Sequence, residues 1–188
     1  GSQSPFSVVL DARPETDVVF DIVSSDTGEA TVDKSRLTFT PGSWNAVQTV
    51  TVTAVDDDLI DGTQNVIISV STDDASSDDF FDGLLKTVNV IITDDDTAGI
   101  TLIETGSGTS VSEKGTTDTF QVALSSQPKT DVVLNIQSSD PGETAPAPTR
   151  LAFTTDNWFE LQTVTVTGVD DILADGEQLS AMNVSVAD

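Results

Sequence analysis

The chain of 188 residues has no cysteine, no histidine and no tyrosine, one methionine, and only seven lysines and arginines together. Each absence removes a class of chemistry. Without thiolate or imidazole, the zinc, iron and copper sites built on those ligands are excluded. Ser-His and Cys-His nucleophile pairs are excluded with them. The lack of cysteine rules out disulfides and is neutral about redox compartment. So few basic residues argue against nucleic acid, whose phosphates need clustered Lys and Arg. They argue equally against direct association with an anionic membrane. No apolar run approaches the ~20 residues of a membrane span, and no secretory signal is recognisable.

What the chain does have is acid: 32 Asp and Glu, for a formal net charge of −25. Charge of this size repels itself in a compact state unless cations neutralise it. Solubility or adaptation to salt is the plain explanation. A divalent-cation protein is the sharper one, and it is preferred because the acid recurs at fixed positions.

The recurrence is visible in TVTVTAVDDDLIDG at 49–62 and TVTVTGVDDILADG at 163–176, which place Asp56 and Asp170 114 residues apart. The same offset carries Phe6 to Phe120, Pro14 to Pro128, Trp44 to Trp158 and Gly62 to Gly176 without a gap. The chain therefore reads as a tandem repeat. Residues 1–96 form the first repeat, with its opening strand missing, and 97–188 the second, with its closing strand missing. Gly1 aligns with Gly115 in mid-repeat, so signals or anchors are expected outside this stretch.

Val- and Ile-rich alternating segments read as strands at 6–10, 18–24, 37–40, 47–55, 64–72 and 86–93. Those of the second repeat fall at 97–103, 119–124, 131–137, 150–154 and 162–169. Residues 25–35 read as a loop. Trp44 and Trp158 read as core plugs. Helical periodicity is absent, and many short strands with turn signals between them indicate an all-β fold of tandem Ig-like antiparallel sandwiches. The short acidic connection near 94–97 predicts repeats joined end to end, with calcium at their junction.

Calcium takes six to eight oxygen ligands, chiefly carboxylates and backbone carbonyls. Adjacent aspartates on a strand face opposite sides, but a loop past a strand end can aim both at one ion. Asp56 and Asp57 lie at such a place. Asp61 returns after the turn that Gly62 permits, and Asp94, Asp95 and Asp96 end another strand. The acids of 73–83, including Asp73, Asp74, Asp78 and Asp79, read as a solvated loop.

SEKG at 112–115, LTFTPG at 37–42, VDDDLIDG at 55–62 and DDD at 94–96 together resemble the Calx-beta domains. These are the calcium-binding modules of sodium/calcium exchangers, found also in tandem in large bacterial surface proteins. The resemblance implies a Ca2+ shell. Its early glutamate matches Glu113. Its middle-loop acid matches Glu29 and Glu143, with Asp26 and Asp140 competing. Its paired aspartates match Asp56 and Asp57, and Asp170 and Asp171. A backbone carbonyl comes from Leu59 or Leu173, and the following acid, usually Glu, is Asp61 or Asp175. The terminal run is Asp94 to Asp96. The resemblance further implies a non-enzymatic, extracellular, calcium-binding repeat: a structural or adhesive stalk segment of a large bacterial surface or secreted protein. Its partners would be calcium ions, neighbouring repeats and a surface or glycan target. The alternative is a carbohydrate-binding module of a secreted multidomain protein.

Overall fold

The computed structural model describes residues 1–106, 108–172 and 176–187. The chain divides into two compact units, Gly1–Asp57 with Asp61–Asp94, and Asp58–Ile60 with Asp95–Asp188. Both are all-β, with antiparallel ladders throughout. Among the described residues no helix is long and apolar enough to cross a membrane.

The first unit runs through β1 (Gln3–Val8), β2 (Val18–Ser24), β3 (Ala30–Val32), β4 (Arg36–Phe39), β5 (Gln48–Ala54), β6 (Gln64–Thr72) and β7 (Leu85–Ile92). One sheet has the order β1-β5-β3 and the other β4-β2-β6-β7. The two-residue period of a strand explains how they face each other. On β5, Val50 and Val52 are buried while Thr49 is exposed and Thr51 and Thr53 are half-buried. From the opposite sheet come Val18, Phe20, Ile22, Leu37, Phe39, Val66, Ile68 and Val70. Phe20 and Phe39 meet edge to face at 6.0 Å, the arrangement the ring quadrupoles favour. Each such side chain taken from water contributes ~1.5–3 kcal/mol. Trp44 packs on this core while staying half-buried, and its carbonyl accepts from Leu10 N at 3.3 Å.

Two sequence readings need correction here. The 25–35 segment is not all loop. Asp26 accepts from Gly28 N at 2.9 Å and from Ala30 N at 3.0 Å, and this turn delivers β3 to the edge of β5. Three residues are too few to carry a periodic pattern, and pairing with β5 decides their state. The 73–83 segment is not simply solvated either. Asp78 is buried and accepts from Glu15 N at 2.7 Å, Thr16 N at 3.2 Å and Phe80 N at 3.0 Å. It caps a short 3-10 turn at Asp79–Phe81. These backbone donors, led by Phe80, hold its carboxyl below the usual carboxylate range. It fastens the 73–83 loop to the segment before β2.

The second unit contains β8 (Ile100–Glu104), β9 (Thr117–Leu124), β10 (Val132–Ser138), β11 (Thr144–Ala147), β12 (Arg150–Phe153), β13 (Gln162–Gly168) and β14 (Met182–Val186). Its sheets have the orders β11-β13-β9-β8 and β12-β10-β14. The 114-residue offset holds in the ladders: Phe6 faces Val50 as Phe120 faces Val164, and Phe20 faces Leu37 as Leu134 faces Leu151. Phe153, Leu134, Ile136, Val164 and Val166 fill the core. Trp158 packs against it, half-buried like Trp44, and its carbonyl accepts from Leu124 N at 2.9 Å. The units differ at their edges. β9 carries β8 on its outer side, where β1 has no strand among the described residues. β6 carries β7, where β14 has none among them.

Candidate metal centre

In the first unit the end of β5 runs straight into the carboxylates. Val55 N donates to the Glu29 carbonyl at 2.8 Å, which holds Glu29 beside the start of the Asp56–Asp57 run. Across the unit, the Asp94 carboxylate, just past β7, accepts from Asp61 N at 3.0 Å and Gly62 N at 2.7 Å. Gly62 adopts a φ of 79°, a conformation glycine takes without strain. The loop that carries Asp61 is thus tied to the last strand of the opposite sheet. Asp61 is also fixed by Gln64, whose Nε2 donates to Asp61 Oδ2 at 2.8 Å.

These contacts bring Glu29, Asp57 and Asp61 into one electrostatic neighbourhood. The Glu29 carboxyl is raised above its ordinary 4.5, first by desolvation and then by the negative charges of Asp61, Asp57 and Asp26. A hydrogen bond with the Asp61 side chain adds to the rise. Like charges at close range destabilise each other's ionised form. Asp56 is exposed at the same strand end. Asp26 also serves its Asx turn, as does Asp140, which accepts from Gly142 N at 3.0 Å.

The remaining candidates group with the second unit. Leu59 forms an isolated parallel bridge with Gln127. Asp95 is exposed, and Asp96 accepts from Ser126 Oγ at 3.4 Å. Glu143 repeats the placement of Glu29: its carbonyl accepts from Val169 N at 2.9 Å, next to Asp170 and Asp171. Glu113 and Glu143 line one cleft of 780 Å³, together with Lys114 and Glu177. Gly168, which stands where the first repeat has Ala54, makes room for the Glu113 loop. A Cβ there would come within 2.0 Å of Ser112 O. Leu173 and Asp175 lie outside the described residues. Among the described residues, no three carboxylates converge as a preformed metal cage.

No family model and no curated protein matches the chain. Solved structures similar to it include two calcium-binding domain structures. One is the calcium binding domain CBD12 of CALX1.1, at 18% identity over 90% of this chain and 70% of that one, with a TM-score of 0.38. The other is CBD12 from CALX1.2, at 16% identity over 97% and 73%, with a TM-score of 0.39. Likeness at this level leaves the reading of the site to the chain's own residues.

Proposed function

We propose that the chain is a calcium-binding β-sandwich repeat of the Calx-beta type, a structural or adhesive segment of a secreted or cell-surface protein rather than an enzyme. The observation that carries the reading is the electrostatic strain at Glu29, whose carboxyl is raised by Asp61, Asp57 and Asp26. Hard oxygen donors at the end of a strand suit calcium, and the set tolerates its flexible coordination. Glu29, Asp57 and Asp61 would hold the ion, with Asp56 within reach on the same loop. Asp94 orients that loop through the Asp61 and Gly62 amides. Bound calcium supplies the positive charge that a chain with seven basic residues cannot. Lys34 pairs with Asp33, and Arg36 with Asp21 and Asp73. Extracellular modules work at millimolar calcium, where modest affinity is enough.

Calorimetric titration of calcium into chelator-treated protein tests the reading. Saturable binding is expected, lost in the Asp57→Asn variant while the calcium-free melt stays close to that of the parent. Absence of calcium heat, together with a melting temperature indifferent to calcium and chelator, would overturn it.

A further inference from the structure

The short strands β3 and β11 stand at the edges of their sheets among the described residues. Both lie inside the chain, with strands before and after them. Their partners β5 and β13 share the sequence QTVTVT, so a strand that fits one edge fits the other, in this copy or another. Unpaired amides and carbonyls along such an edge are a template for association. Tandem repeats of like sequence are prone to that kind of misassembly.

In the first unit β3 pairs with β5 over three residues. The chain then leaves for the opposite sheet, where Ser35 O accepts from Ile22 N at 2.8 Å. That departure uncovers β5 from Thr51 back to Thr49. The odd-numbered residues of β5 bond toward β3, as the 3.0 Å bond from Asp33 N to Thr51 O shows. Two side chains fill the places the strand has left. Asp33 Oδ1 accepts from Thr51 N at 2.7 Å, and Lys34 Nζ donates to Thr49 O. The Thr51 amide is the leading cause that holds the Asp33 carboxyl below its ordinary range, and the Lys34 charge adds to it.

The second unit closes the equivalent edge by other means. β11 pairs with β13 over four residues, Thr144 to Ala147. The bond from Val169 N to Glu143 O at 2.9 Å sets the alternation. Odd-numbered residues bond to β13, and 144, 146 and 148 turn their backbone groups to the open side. The Thr144 amide is engaged by Asp140 O at 3.0 Å. Pro146 and Pro148 have no amide to offer. From 144 to 148 the open side therefore presents backbone acceptors without a free backbone donor, and an incoming strand needs both. At the 114-residue offset Pro146 and Pro148 correspond to Val32 and Lys34, and Asp33 to Ala147. One edge is thus closed by side chains and the other by prolines.

We propose that these features close the β3–β5 and β11 edges against strand addition by another copy of the chain. Asp33 and Lys34 act in the first unit, and Pro146 and Pro148 in the second. Sedimentation velocity of the intact chain tests this, in chelator and about 1 M salt, where a Debye length of ~3 Å screens the repulsion of the net charge. Asp33→Ala frees the Thr51 amide, and Pro146→Val restores an outward amide. Each substitution installs the residue that the other repeat carries at that position, and tryptophan melts close to the parent's check that the fold is kept. Each variant is expected to self-associate at a concentration about tenfold or more below that of the parent. Hydrogen exchange should slow as concentration rises, at Thr51 for the first variant and at position 146 for the second. Asp33→Asn loses the same charge but keeps an acceptor for Thr51 N, so it should sediment like the parent. A variant that associates no more than the parent up to about 1 mM overturns the assignment for its unit. Association of Asp33→Asn equal to that of Asp33→Ala would trace the effect to charge and overturn it as well, as would exchange protection confined to residues outside 49–53 and 144–148.

Discussion

Phe6 and Phe120 occupy the same position of the repeat and face equivalent valines, Val50 and Val164. Phe120 is 2% exposed, whereas Phe6 is only half-buried. β9 carries β8 on its outer side, and β1 has no such cover among the described residues. The opposite sheets reverse the relation. Ile68 and Val70 are buried under β7, while their counterparts Met182 and Val184 are half-buried. Equivalent residues with the same strand pattern thus take different burial according to the strand beside them. Burial here is a property of the neighbour as much as of the residue.

The largest test of that comparison is the pair of phenylalanines. Phe120→Ala is expected to cost ~3–5 kcal/mol, the range for a fully buried ring, and Phe6→Ala clearly less. Each unit holds one tryptophan, so denaturant melts of Trp44→Phe and Trp158→Phe backgrounds report the units separately. Equal losses would break the link between edge cover and burial.

Next comes the opposite sheet. Ile68→Ala should cost ~2–5 kcal/mol, and Met182→Ala distinctly less, because among the described residues no strand closes over it. Equal costs at the two positions would separate edge cover from core packing.

Calcium gives a third contrast. A ligand that binds only the folded state adds RT ln(1 + [L]/Kd), ~2.7 kcal/mol at a hundredfold excess over Kd. The gain should fall mainly on the Trp44-reported transition, since Glu29, Asp57, Asp61 and Asp94 all belong to the first unit. A gain confined to the Trp158-reported transition would move the site to the second unit, with Glu113 and Glu143.

The smallest effect concerns Glu29. Its carboxyl is raised above 4.5 in the folded state, by desolvation and then by Asp61, Asp57 and Asp26. Its ionisation therefore opposes folding above the folded pKa, and the penalty fades as pH falls through that value toward 4.5. Glu29→Gln should raise the calcium-free melting temperature slightly at pH 7, and the advantage should vanish at pH 4. A variant that is no more stable than the parent at pH 7 would show that the repulsion is dissipated by solvent.

Part of this site was legible in advance. The offset from Asp56 to Asp170 singled out the loops after β5 and β13, and the structure places Glu29 and Glu143 at those strand ends through bonds from Val55 and Val169. The service of Asp94 to the Asp61 and Gly62 amides was not legible, because it joins residues 32 and 33 positions apart in different connecting segments. The burial of Asp78 was hidden for the same reason. Its donors at Glu15 and Thr16 lie more than sixty residues away, and nothing in DDASSDDFFDG distinguishes that aspartate from its neighbours.

By itself the sequence determined the repeat, the strand class and the acidic loops, since period-two alternation and Gly-marked turns are local properties of the chain. Tertiary structure alone decided which strands stand at an edge, which aspartates fix backbone amides, and that the short segments β3 and β11 become strands at all. Those outcomes depend on partners brought together from distant positions, and a hydrogen bond or a covered edge exists only once the partner has arrived.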